Sequence, residues 1–145
     1  MGTTMKIAFR LEQDDDGYPP VSVESLWAEP AGAAFIIDSI PFFTSEATVG
    51  DRVLASGDGQ GALWFDGIEQ PSGHSLIRVV LFDKQQEDAI VGRLEALGCG
   101  TERMQAFNLL AVDVPEDASL TAVQAFLSER AVAGVLDYQE AILRQ

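Results

Sequence analysis

Leu76-Ile77-Arg78-Val79-Val80-Leu81-Phe82 is a nearly continuous apolar run, interrupted by one arginine. A strand reads this way when both of its faces are covered. Downstream, Gln85–Leu97 places Ala89, Ile90, Arg93, Leu94 and Leu97 at helical spacing, and Gly98 supplies a stop. Thr101–Gln105 and Leu109–Val114 read as strands, the second closed by Pro115. Ser119 is placed to cap a helix running to about Ala133, with Leu120, Val123, Phe126 and Leu127 on its apolar stripe. Gly134 stops that helix, and Val135–Gln139 reads as a last strand. The order from Leu76 onward is β-α-β-β-α-β, the ferredoxin-like arrangement. Right-handed crossovers would put both helices on one face of a four-stranded antiparallel sheet.

Upstream the style changes to Gly, Pro and Asp punctuation with β-branched and aromatic residues between. Lys6–Glu12 alternates, with Ile7, Phe9 and Leu11 on one face. Asp14-Asp15-Asp16-Gly17-Tyr18-Pro19-Pro20 reads as a turn with an exposed acidic tip. Val21–Glu29 resumes the alternation, and Phe35–Ile40 is a short apolar strand closed by Pro41. Arg52–Ser56 and Ala62–Glu69 flank a glycine-rich hairpin loop, Gly57–Gly61. Five strands with no helix between them predict a small antiparallel sheet or partial barrel. The expected fold class is therefore α+β. Residues 1–72 form a small β-rich subdomain and residues 73–145 a ferredoxin-like one. The short junction near Gln70–Gly73 implies that the two pack together.

The chain has 145 residues, 47% of them hydrophobic, enough for an ordinary core. No apolar run approaches the ~20 residues that span a bilayer. Met1–Arg10 lacks the apolar segment of a secretory signal, and one cysteine, Cys99, cannot pair within the chain. A cytoplasmic location is expected. Nine basic residues face 23 acidic ones, for a net charge of −14. Residues 1–72 carry 3 basic and 12 acidic groups, a net −9, and residues 73–145 carry 6 and 11, a net −5. Such a field repels nucleic acid and anionic membranes and draws in basic protein surfaces. It also keeps a protein soluble without any partner.

The chemical motifs are weak. Asp14-x-Asp16-Gly17 has the start of a calcium loop, but Val23 stands where the bidentate Glu would fall, and no helix pair flanks the segment. Gly57-x-Gly59-x-x-Ala62 formally matches a dinucleotide pattern, but a strand follows where a helix must begin. His74 is the only histidine, too few for a metal site with one cysteine. It precedes a core strand, where a hydrogen-bonding role outweighs catalysis, and with Arg78 it remains a candidate ligand contact. Cys99 reads as a buried small hydrophobe. Phe42 and Phe43 are adjacent, so both cannot face one sheet surface. Phe42 is assigned to the core, and Phe43 is open to core or interface. No catalytic residue, metal or cofactor is expected.

Several runs are familiar together: Gly17-Tyr-Pro-Pro-Val-Ser-Val-Glu-Ser-Leu-Trp-Ala28, Ile40-Pro-Phe-Phe43, Gly50-Asp51, Ser72-Gly-His-Ser75 with Ile77-Arg-Val79, Leu94-Glu-Ala-Leu-Gly-Cys99 and Ala111-Val-Asp-Val-Pro115. In combination they resemble the bacterial domain-of-unknown-function family numbered four-two-six-five, from about Lys6 to Leu143. The resemblance transfers no activity and no catalytic residue. Families of such small acidic bacterial proteins often supply immunity proteins for secreted toxins, and the resemblance implies that role as an expectation.

Three function classes follow. In the first, the chain is an acidic protein-binding inhibitor that blocks the basic cleft of a toxin. Asp14, Asp15, Asp16, Glu24 and Glu46 would supply charge, and Tyr18, Trp27 and Phe43 the anchors. In the second, it is a small-molecule-binding regulatory domain, on the analogy of ferredoxin-like units. In the third, it is an enzyme built on His74, Asp51, Arg78 and an acidic-tip carboxylate, although no spacing marks a general acid and base.

Overall fold

The computed structural model describes residues 4–145. The chain divides into two compact units, Met1–Ser72 and Gly73–Gln145. It is a mixed α+β protein with nine strands and two α-helices among the described residues.

The first unit holds β1 (Met5–Arg10), β2 (Val23–Ala31), β3 (Ala34–Ile37), β4 (Arg52–Gly57) and β5 (Leu63–Gln70). Neighbouring strands are antiparallel, and the sheet closes into a barrel through a parallel pair between β1 and β5. The expected small antiparallel sheet or partial barrel is thus a closed barrel. Alternation along β1 turns Ile7 and Phe9 inward, where they meet Leu26, Ala28, Ile37 and Val53. Phe9 stacks on Phe65 of β5 with ring centroids 4.6 Å apart. β3 stops at Ile37, short of the expected Ile40. Past that point the Asp38 N–H still donates to the Trp27 carbonyl at 2.8 Å, but the Trp27 N–H turns to the Ser39 hydroxyl at 2.9 Å, so a side chain replaces half of the next rung.

Two register shifts between β4 and β5 leave Asp66 and Glu69 without an opposite residue. Gly67 follows the first of these with φ 126°, a backbone conformation that favours glycine. Such bulges bend and twist the strand that carries them. Asp51 is fully buried and ties the loop after β3 together. Its carboxylate accepts the N–H groups of Thr48 at 2.9 Å and Ser72 at 2.8 Å.

The second unit holds β6 (Ser75–Leu81), α1 (Glu87–Ala96), β7 (Gly100–Met104), β8 (Leu109–Val114), α2 (Leu120–Val132) and β9 (Leu136–Ile142). The strands lie in the order β7-β8-β6-β9, all antiparallel. Ile77, Val79 and Leu81 of β6 share one core with Leu110, Val112 and Val114 of β8. Ile90 and Leu94 of α1 and Val123 and Leu127 of α2 complete it. Of the other parity of β6, Leu76 and Arg78 are also buried but Val80 is 40% exposed, so the expectation of a strand covered on both faces holds for only part of its length.

The punctuation signals appear where the sequence puts them. Ser119 accepts the Ala122 N–H at 3.1 Å, and Gly98 and Gly134 have φ of 94° and 78° after their helices. β9 continues past the expected Gln139 to Ile142, and a single 3₁₀ turn, Lys84–Gln86, precedes α1.

Candidate functional site

β1 and β5 pair only at Ile7↔Leu63 and Ala8↔Trp64. Beyond that point the two strands part, and a cleft of about 760 Å³ opens between them. Arg10, Leu11 and Glu12 form one side, and Trp64 to Gly67 the other. The segment Phe43–Glu46 makes a third wall, with Pro19 at the rim.

Glu24 positions that third wall. It lies on β2 and accepts three main-chain N–H groups, from Phe42 at 2.7 Å, Phe43 at 3.2 Å and Thr44 at 2.8 Å. The Thr44 hydroxyl accepts the Glu46 N–H at 3.2 Å and continues the turn. Phe43 then meets Tyr18 edge-on, with centroids 6.0 Å apart. Both Phe42 and Phe43 are half-buried, so neither is a full core residue.

The opposite wall is held by the hairpin between β4 and β5. One oxygen of Asp58 accepts the Gln60 and Ala62 N–H groups at 2.7 and 3.2 Å, and the other accepts the Trp64 indole N–H at 3.2 Å. These bonds, with Gln60 the largest contributor, hold the Asp58 carboxyl below the usual carboxylate range. They confirm a hairpin loop where the sequence offered a formal dinucleotide pattern. Trp64 in turn carries Arg10, whose guanidinium carbon lies 4.2 Å from the ring centroid. The cleft therefore combines two aromatic walls, one cation already stacked on a ring, and three carboxylates in Glu12, Glu46 and Asp66. That balance favours a cationic guest.

The residues predicted from sequence are distributed unevenly. Phe43 and Glu46 line the cleft. Tyr18, 52% exposed, supports Phe43, and Glu24 acts through the loop that it anchors. Asp14 organises its own turn, its carboxylate accepting the Asp16 and Tyr18 N–H groups at 2.9 Å each, while Asp15 and Asp16 remain exposed. Trp27 stands on the outer barrel surface with the Lys6 ammonium 5.0 Å from its ring, and does not line the cleft. Pro19 belongs to the turn that the sequence marked, whereas Arg10, Glu12, Trp64 and Asp66 were not singled out by the sequence. The available signal was a tryptophan and an arginine at outward-facing strand positions, but it becomes a site only once the register joins β1 to β5.

His74 belongs to a second polar cluster, within the other unit. Its Nδ1 lies 2.8 and 3.0 Å from the two oxygens of Asp113. Burial pushes the Asp113 carboxyl up, and His74 pulls it partly back. The adjacent Ser75 hydroxyl donates to the Gln145 side chain and accepts the Arg144 N–H at 2.8 Å, so it helps fasten the chain's last residues to β6. Arg78 is buried within β6. Cys99 is buried, and its thiol is raised to about 11 by that burial and by Asp113. Among the described residues no cluster of three or more metal-ligating side chains occurs.

A family model described as Domain of unknown function (DUF4265) matches residues 24–138. This chain belongs to the DUF4265 family. The match spans β2 through β9, and so takes in Glu24, the 43–46 wall and Trp64, but not Arg10 or Glu12. No curated protein matches the sequence. Among solved structures it is similar to a hypothetical protein from Neisseria gonorrhoeae, with 23% identity, a TM-score of 0.79, and 97% of each chain covered. That likeness concerns the fold.

Proposed function

We propose that this DUF4265 chain is a non-catalytic, acidic protein-binding inhibitor. It would use the barrel cleft to hold a basic side chain of its partner. The observation that carries this reading is the cleft's composition: Glu12, Glu46 and Asp66 stand around aromatic walls, with a single arginine already stacked on Trp64. An immunity protein that blocks a toxin's basic substrate cleft fits this chemistry, and the net −9 of residues 1–72 would speed the encounter. We read Gly73–Gln145 as a ferredoxin-like scaffold. The order β7-β8-β6-β9, with both helices in one core, supports that assignment. A reducing, cytoplasmic setting suits the single buried thiol of Cys99. No helix among the described residues is long and apolar enough to cross a membrane.

The test is affinity capture from the native host at low and at high salt. The reading expects a basic protein partner that is retained at low salt and released as screening increases. Recovery of no partner at low salt would remove its main support.

A second reading, a small-molecule-binding regulatory domain, draws on the cleft's volume of about 760 Å³. That size falls within the roughly 300–1,000 Å³ of ligand pockets. It expects stabilisation by a metabolite in a thermal-shift screen, and a flat screen counts against it.

A further inference from the structure

The cleft has a second property besides its charge: it is bordered by main chain. In the antiparallel pair of β1 and β2, the Leu11 N–H donates to the Ser22 carbonyl at 2.9 Å. Residues alternate between bonded and non-bonded positions along such a pair. Arg10, opposite Val23, is therefore non-bonded toward β2 and directs its N–H and C=O the other way, toward β5. Ala8 has the same parity, and it is the residue through which β1 meets Trp64. One further rung of the parallel ladder would bring the Arg10 N–H to the Phe65 carbonyl. Among the described residues the ladder ends before that rung. The pairing stops where β5 carries its bulge at Asp66, with Gly67 at φ 126° and the Ser56 hydroxyl donating to the Asp66 carboxylate at 2.8 Å, and a bulge bends the strand that holds it.

We infer that the splayed β1–β5 seam is a strand-acceptor site, which takes an extended basic segment of a partner protein by main-chain pairing along the Arg10 edge. The inference rests on the reading of the cleft as a protein-binding site and specifies how it binds. Strand addition draws affinity from main-chain hydrogen bonds and specificity from alternate side chains. Alternate side chains of the guest would meet the carboxylates Glu12, Glu46 and Asp66 of the cleft lining, which favour lysine or arginine at those positions. Charge complementarity thus selects a basic strand over an acidic or neutral one.

The test uses the full chain, ¹⁵N-labelled, and an acetylated and amidated hexapeptide of alternating valine and lysine. Two further peptides carry N-methyl groups on one or the other set of alternate amides. At low salt the unmethylated peptide is expected to shift the amides of Arg10, Glu12 and Gly67 and to slow exchange of the Arg10 N–H at least tenfold. Methylation of at least one set should weaken binding at least tenfold. If all three peptides bind the cleft equally, the strand mode is overturned while the cleft remains a protein-binding site. If millimolar peptide leaves the cleft amides unmoved, or shifts only amides elsewhere, the site itself is overturned.

Discussion

Glu24→Ala tests whether the cleft's third wall is built as described. The substitution removes one carboxylate and strands three N–H donors, those of Phe42, Phe43 and Thr44. A hydrogen bond to a charged group contributes ~1.5–3 kcal/mol, and an orphaned buried donor costs ~1–3 kcal/mol. Glu24 is only half-buried, so water can replace part of what is lost. The expected cost is about 2–4 kcal/mol. Both tryptophans, Trp27 and Trp64, lie in Met1–Ser72, so their fluorescence in a urea titration follows the barrel unit alone. With a slope of ~1 kcal/mol per molar urea for so small a unit, the midpoint should fall by about 2 M or more. Glu24→Gln keeps one acceptor oxygen but sets an amide NH₂ against a donor, so it should fall between the parent and Glu24→Ala. The Tyr18–Phe43 contact should loosen with the wall, which is visible as shifts in both ring spectra. A loss below about 0.5 kcal/mol, or unmoved amides at 42–44, would refute the assignment of Glu24 as the anchor of this wall.

Further outcomes follow from the titrating groups. Removing His74 leaves burial unopposed at Asp113, so His74→Ala should move that carboxyl higher still, read from its ¹³C shift. A folded-state value above the unfolded one gives stability that is present at low pH and lost as pH rises through the folded value. Relative to the parent, His74→Ala should therefore lose more stability near pH 7 than near pH 3. Asp58 has the opposite sign. Its lowered carboxyl favours the fold above the ordinary aspartate range, and that contribution disappears as pH falls through the folded value. Its ¹³C titration midpoint should lie below the ordinary aspartate range, and Trp64→Phe, which removes the indole N–H, should raise it. Cys99, with its thiol raised to about 11, should resist a thiol reagent at pH 8 in the native state and react at once in denaturant. Rapid native labelling would contradict its burial.

Much of the architecture could be read from the sequence because local physics dictates it. The alternation of Ile7 and Phe9, the continuous run of β6, the cap at Ser119 and the stops at Gly98 and Gly134 are each decided within a few residues. The cleft is a different case, because it depends on a parallel pairing between β1 and β5, more than fifty residues apart in the chain. Trp64 and Arg10 become neighbours only through that register. Glu24 looked like surface charge because nothing local announces that a carboxylate on a strand will bind N–H groups about twenty residues away. Gly67 was the one local hint of the splay, since a glycine inside a strand often marks a bulge. His74 could be placed before a core strand, but its partner Asp113 lies in β8 and required the sheet order.

In the proposed reading the barrel cleft holds the partner and Gly73–Gln145 is scaffold, and amide hydrogen exchange on the complex with the partner captured from the host decides between the two units. Protection is predicted at residues 10–12, 43–46 and 64–67. Charge neutralisation at Glu12, Glu46 and Asp66 should weaken the complex by tenfold or more and flatten its salt dependence. Protection confined to α1 and α2, with no loss of affinity on neutralising those three carboxylates, would contradict the account.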